Sequence, residues 1–200
     1  MATPAFSILT FPTTMDANDP SMLAQAAAAN NFRTFIEAAA QQFGFQPALI
    51  CGVGSRESHW GLALKPPGPG GTGDFAPRTR PNPPLRPGPM PPDGLGFGRG
   101  LMQIDFDSNQ LAQTGNWQDP QANIMAGCQI LANKLKYVSS HSTLAGLMLI
   151  RGAVAAYNCG EGNVVKAVQA GQDVDSRTAN HNYSSDVLNR AGFFQLHGWQ

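Results

Sequence analysis

The chain has 200 residues with 13 basic and 13 acidic side chains, enough for one domain with a full hydrophobic core, and too evenly balanced to draw nucleic acid or an acidic membrane by long-range attraction. Charged residues make up 13% of the chain, about half the usual share, so the surface must be polar mainly through Gln, Asn, Ser and Thr. An anionic polymer remains compatible if it is held by local contacts.

Residues 1–20 carry Phe6, Ile8, Leu9 and Phe11 without sustained periodicity and read as an N-terminal arm lying over a single domain formed by 21–200. They lack the basic start and apolar centre of a secretory leader, which leaves a mature form, export by another route, or retention in the cell. Ser21 to Phe43 reads as one alanine-rich helix capped by Ser21, with Phe32, Phe35, Ala39 and Phe43 on one side and Gly44 as its stop. Pro47 opens a second helix, running to Trp60, in which Ile50, Val53 and Glu57 share one face.

Glu57 ends that apolar stripe. Desolvation disfavours a carboxylate, so its pKa should rise toward neutrality, as a general acid requires. Only three glutamates occur, Glu37, Glu57 and Glu161, so one on an apolar face is not ordinary surface decoration. The bland alternative is a glutamate reaching out from the end of a core helix.

Between Pro66 and Pro92 lie eleven prolines and five glycines, with Arg78, Arg80 and Arg86 among them. Proline lacks a backbone donor and fixes its own φ, so the stretch reads as an extended insertion on one rim of a cleft, or as a ligand for another domain. Asp93 to Gly100 follows, rich in glycine, then Leu101 to Asp105 as a short strand-like run. With no strand before these glycines and no long helix after them, a nucleotide-binding fingerprint is a poor fit.

The remainder reads as helical. Asp119-Pro120 starts a helix to about Val138, with Ile124, Cys128, Ile130, Leu131 and Leu135 inward. Ser142 or Thr143 starts another over Leu144 to Tyr157, too short and too charged at Arg151 to span a bilayer. A short helix through Val164 to Val168 closes at Gly171, and the last runs from Tyr183 to Leu196. Cys51, Cys128 and Cys159 make no CxxC pair and no zinc spacing with the four histidines, so no metal or cofactor is expected. They read as small core residues. One pair is open to oxidation in a secreted protein, and the odd count leaves one free or paired with another chain.

Set side by side, Ser55-Arg56-Glu57-Ser58-His59, Gly100-Leu101-Met102-Gln103-Ile104-Asp105 and Ala156-Tyr157-Asn158-Cys159-Gly160-Glu161-Gly162-Asn163-Val164 resemble the goose-type lysozymes and, more distantly, the soluble lytic transglycosylases. The resemblance spans residues 32–198 apart from the insertion at 66–92. It implies a mostly α, lysozyme-like fold with a small β-hairpin beside a substrate cleft. It also implies hydrolysis of the β-1,4 bond between N-acetylmuramic acid and N-acetylglucosamine in peptidoglycan, in the manner of an antimicrobial, cell-wall-lysing muramidase. On it, Glu57 resembles the catalytic acid, Asp105 the carboxylate that activates water, and Asp93 a supporting aspartate, with Asp74 as its rival because the spacing here departs from the family. Tyr157, Asn158 and Tyr183 resemble residues of the sugar cleft; His59 and Gln103 are further candidates for substrate binding, with a supporting role behind the site as the plainer reading of His59. An inverting glycosidase needs a protonated acid and a second carboxylate across a gap of about 6.5 to 9.5 Å that admits water. Tyr157 is placed to donate a hydrogen bond to the acid, with core packing as its plainer role. Trp60 reads equally as a stacking face for sugar or as core.

Competing readings are a lytic transglycosylase, which needs the glutamate but no aspartate base, a chitinase using the same two carboxylates, and a glycan- or inhibitor-binding protein without turnover. In each the partner is an N-acetylglucosamine polymer or a protein inhibitor, with a monomer acting outside the cell and no membrane insertion.

Overall fold

The computed structural model describes residues 9–78 and 88–200. Phe6, Ile8, Arg80, Arg86 and the middle of the proline-rich stretch lie outside the described residues. The described chain is mostly helical: α1 (Pro20–Asn30), α2 (Arg33–Phe43), α3 (Pro47–Ser58), α4 (Gln110–Thr114), α5 (Pro120–His141), α6 (Gly146–Cys159), α7 (Glu161–Gln169) and α8 (Tyr183–Leu196). A three-stranded antiparallel sheet, β1 (Thr72–Gly73), β2 (Gly98–Arg99) and β3 (Ile104–Asp105), completes it in the order β1-β2-β3.

The expected helix from Ser21 to Phe43 is two helices. Asp19, not Ser21, is the cap: its carboxylate accepts the Met22 amide at 2.8 Å, and Pro20 fills the first turn, where no donor is needed. The chain breaks at Asn31 and Phe32, so α2 starts in a new direction and ends at Gly44 with φ 71°. Likewise α6 begins at Gly146 without a side-chain cap, and Ser142 instead donates its hydroxyl to the Val138 carbonyl at 2.8 Å, closing α5.

One pairing decides where the site forms. At Gly52 in α3 an added Cβ would sit 2.5 Å from the Val187 carbonyl oxygen and 3.1 Å from Ala191 Cβ, so glycine and alanine let α3 and α8 approach at backbone distance. That contact sets Tyr183, the first residue of α8, beside Glu57 near the end of α3. Around it Ile50, Val53, Ile124, Val187, Leu188 and Phe194 are buried, and sequestering each such side chain favours folding by about 1.5–3 kcal/mol. Trp60 belongs to this core as well. It is 2% exposed, donates its indole N–H to the Cys51 carbonyl at 3.0 Å and stacks on Phe32, leaving no face for a sugar.

The sheet corrects two further expectations. Thr72-Gly73 lies inside the proline- and glycine-rich stretch yet pairs with Gly98-Arg99, so the start of that stretch is built into the domain. Leu101 to Asp105 is a tight turn followed by two strand residues, with Gly100 and Gln103 at positive φ. Three helices hold this turn. Ser58 donates to the Leu101 carbonyl at 2.7 Å, Asn123 accepts the Met102 amide at 2.8 Å while donating to the Arg99 and Trp117 carbonyls, and Tyr157 donates to the Met102 carbonyl at 2.8 Å.

The N-terminal residues from Leu9 onward are tied down through backbone groups. Gln46 and Gln195 bond the Leu9 backbone, Gln195 also accepts the Phe11 amide at 2.8 Å, and Phe11 is 3% exposed. All three cysteines are free thiols, and burial pushes Cys51 and Cys128 up, the latter to about 12. Among the described residues no helix is long and apolar enough to cross a membrane.

Candidate active site

A cleft of about 310 Å³ opens between the end of α3, the sheet and the end of α6, lined by Glu57, Asp74, Arg78, Gly98, Gln103, Asp105, Tyr157 and Asn158. A second cavity of about 330 Å³, lined by Phe11, Phe43, Phe45 and Leu149 among others, holds no titratable group and offers no chemistry.

On the helical wall, Glu57 is partly buried and accepts a hydrogen bond from the Tyr183 hydroxyl. Burial raises its pKa from 4.5 to about 7, against the opposing pull of the Tyr183 bond and the Arg56 charge. Arg56 is occupied elsewhere. It pairs with Asp186 at 3.1 Å, and Asp186 also takes Arg190 at 2.7 Å. Burial and the nearby Glu57 charge push Tyr183 well above the ordinary phenol value, and the same causes act on Tyr157. Both hydroxyls therefore stay protonated donors. The expected bond from Tyr157 to the acid is absent: Tyr157 serves the Met102 carbonyl, and Tyr183 holds the acid.

Tyr183 is itself held firmly. Asp175, 2% exposed, accepts the Ser184 amide at 2.8 Å, the Ser184 hydroxyl at 2.7 Å and the Ser185 amide at 3.1 Å. A buried carboxylate satisfied by the amides that open α8 fixes the helix end and suits its dipole.

The sheet wall is charged and wetter. The register sets Gly73 opposite Gly98 and Gly98 opposite Asp105, so the three lie in one row across the strands. Side chains at Gly73 or Gly98 would strike the Gln103 side chain, so glycine at both positions is what admits Gln103, whose amide donates to the Gly100 carbonyl at 2.9 Å. Asp105 accepts the Ser108 amide at 3.0 Å and the Ser108 hydroxyl at 2.9 Å, and pairs with Arg78. Partial burial pushes its pKa up, but Arg78 and Ser108 outweigh this and hold it below the ordinary carboxylate value.

Of the residues expected at the site, Glu57, Asp105, Gln103, Tyr157 and Asn158 meet in one cleft, with Tyr183 directly behind Glu57. Asn158 is exposed and also accepts the Ala179 amide at 2.9 Å. Two residues lie elsewhere. Asp93 pairs at 2.9 Å with Arg99, which is fully buried with its guanidinium over Phe106 and Trp117. Its side chain also accepts the Leu95 amide at 3.1 Å. His59 caps α3 in the left-handed region and faces a separate depression with Asp16, Asp19, Gln25 and Arg190.

Asp74, in place of Asp93, stands in the cleft, directly after β1. Arg78, one of three arginines scattered through the insertion sequence, bonds Asp74 and Asp107 at 2.9 Å each as well as Asp105. A usable signal was present: Gly71-Thr72-Gly73, inside the proline- and glycine-rich stretch, and Gly96-Phe97-Gly98, just after it, have matched glycine spacing, as two strands that both pass under a bulky side chain require. Among the described residues no group of His, Cys, Asp and Glu is arranged to hold a metal ion.

Comparison with known proteins bears on the whole arrangement. The sequence model of the family Lysozyme g matches residues 92–198, which carry β2, β3 and α4 to α8. Lysozyme G of Dromaius novaehollandiae is 30% identical over 171 residues, 85% of this chain and 69% of that protein. The chain belongs to the lysozyme g family. Lysozyme g of Casuarius casuarius shows the same identity over 171 residues, and that of the fish Epinephelus coioides is 30% identical over 173, covering 82% of this chain and 74% of that protein. The lysozyme g proteins are glycosidases, and this chain is one by membership.

Proposed function

We propose that the protein hydrolyses the β-1,4 bond between N-acetylmuramic acid and N-acetylglucosamine in peptidoglycan with inversion at the anomeric carbon. Glu57 is the general acid, and Asp105 with Asp74 directs the attacking water. The observation that carries this reading is a carboxyl group poised at about 7 in the same cleft as one held below its ordinary value. Environments that push two carboxyl groups apart sort them into acid and base.

Tyr183 donates to Glu57 Oε1, which leaves Oε2 to carry the proton toward the glycosidic oxygen. As the bond from the anomeric carbon to that oxygen breaks, the proton passes to the leaving group. Water attacks the opposite face, forms the new carbon–oxygen bond and gives its proton to Asp105. Asp74 beside it supplies a second acceptor to orient the water, a role its place in the cleft favours over Asp93. Gln103 and Asn158 offer amide donors and acceptors along the cleft to the N-acetyl and hydroxyl groups of the glycan.

A lytic transglycosylase would have the sugar's own hydroxyl attack and would leave an aspartate base without work, so ionised Asp105 favours hydrolysis. The test is lysis of bacterial walls by wild type against Glu57→Gln, with mass spectrometry of the fragments. Reducing muramic ends released by wild type alone are expected. Predominant 1,6-anhydromuramyl ends would replace the hydrolytic reading with transglycosylation, and equal turnover of chitin would widen the substrate class.

A further inference from the structure

Arg78, among the described residues of the proline- and glycine-rich stretch, reaches across the cleft to the sheet carboxylates. Its Nη2 bonds Asp74 at 2.9 Å and pairs with Asp105, its Nη1 bonds Asp107 at 2.9 Å, and its guanidinium carbon stands 4.1 Å from the centre of the buried Phe97 ring. Phe97 fixes the plane of the fork, and the three carboxylates use its donors.

Charge explains why such a group is needed there. Asp74, Asp105 and Asp107 stand around the Arg78 guanidinium, and Asp74 and Asp105 share the cleft with Glu57 of α3 and Tyr157 of α6. Three like charges sharing a site repel, and a cation between them offsets that repulsion.

We propose that Arg78 is a positioning residue of the active site, supplied by the insertion, which keeps Asp105 ionised and fixes Asp74 beside it, facing Glu57. The inference rests on the roles proposed above for Asp105 and Glu57. Capture of a substrate carboxylate is the less apt use of Arg78, because three carboxylates already outnumber its single charge and leave the cluster net negative. A latch that blocks the cleft is the other use, and it predicts the opposite sign: removing Arg78 would raise activity.

The experiment is the pH profile of wall hydrolysis for wild type, Arg78→Gln and Arg78→Lys, with a carbon-13 titration of the Asp105 carboxyl in each. Thermal unfolding serves as the check on folding. In Arg78→Gln the acid limb of the profile and the Asp105 midpoint should both rise by about one pH unit, the alkaline limb should stay in place, and Arg78→Lys should recover part of the shift. An unmoved acid limb and an unmoved Asp105 midpoint, or a gain in activity, would overturn the proposal. The titration reads Asp105 whether or not the protein degrades walls, so a wild type inert toward peptidoglycan would count against the proposed reaction and leave the role of Arg78 to be decided by the Asp105 midpoint.

Discussion

The two walls of the cleft treat the same functional group in opposite ways. On the helical wall Glu57 accepts a side-chain hydrogen bond from Tyr183 alone among the described residues, and burial lifts it to about 7. On the sheet wall Asp105 has Ser108 twice and Arg78, in a turn open to water, and lies below its ordinary value. Hydrogen bonds to the charged form on one wall and burial on the other thus separate a carboxyl group that holds its proton from one that does not, the difference on which the proposed acid and base roles rest.

The sharpest way to break the contrast is to remove the protonated member. Glu57→Gln should lower the rate of wall hydrolysis by about a thousandfold, measured as turbidity loss of a cell-wall suspension. The same variant should gain stability at alkaline pH. A carboxyl group whose folded pKa of about 7 exceeds its ordinary 4.5 binds more protons folded than unfolded, so stability falls as pH rises between those values. Glu57→Gln should therefore be more stable than wild type by about 1–3 kcal/mol at pH 8, and the gap should close below about pH 4.5. Chemical denaturation at the two pH values checks this.

Asp105→Asn should cost about a hundredfold in rate, with the Glu57 midpoint little changed. Steady-state rates at saturating substrate measure it, and an unchanged rate would remove Asp105 from the water-directing role. Tyr183→Phe should cost about tenfold, the worth of one well-made hydrogen bond. Because the Tyr183 bond lowers the Glu57 pKa, the alkaline limb of the pH profile should also move upward in that variant. The smallest effect on rate belongs to Asp93→Asn, which should leave turnover nearly intact while lowering stability by about 1–2 kcal/mol, because it strips a partner from buried Arg99. Comparing its rate with that of Asp74→Asn decides which aspartate assists Asp105.

How much of this was legible in the sequence follows from how local each determinant is. Period and caps within one segment foretold α3, the start of α5 at Asp119-Pro120 and α8 over Tyr183–Leu196, because the apolar face and the capping atom lie a few residues apart. The chemical identity of Glu57 as a partly buried carboxylate was legible for the same reason. What stayed hidden was any choice between partners distant in sequence. Tyr157 and Tyr183 are both buried donors near the acid, and only the close approach of α3 and α8 at Gly52 and Ala191 gives the acid to Tyr183. Asp74 lies inside the insertion and Asp93 directly after it, and the pairing of Gly73 with Gly98 decides which enters the cleft. Strands of two residues carry no readable alternation, so β1 was invisible inside a proline-rich stretch. The turn at Leu101 was mistaken for a strand because its bonds go to Ser58, Asn123 and Tyr157 on three separate helices.

The most direct test of the division between the two walls is a carbon-13 titration of the Glu57 side chain in the wild-type protein, assigned by its loss in Glu57→Gln. A midpoint near 7 is the expected result, following from burial opposed only in part by Tyr183 and Arg56. A midpoint near 4.5, the ordinary value, would mean that Glu57 is a solvated anion at neutral pH, and would contradict its role as the acid that protonates the leaving sugar.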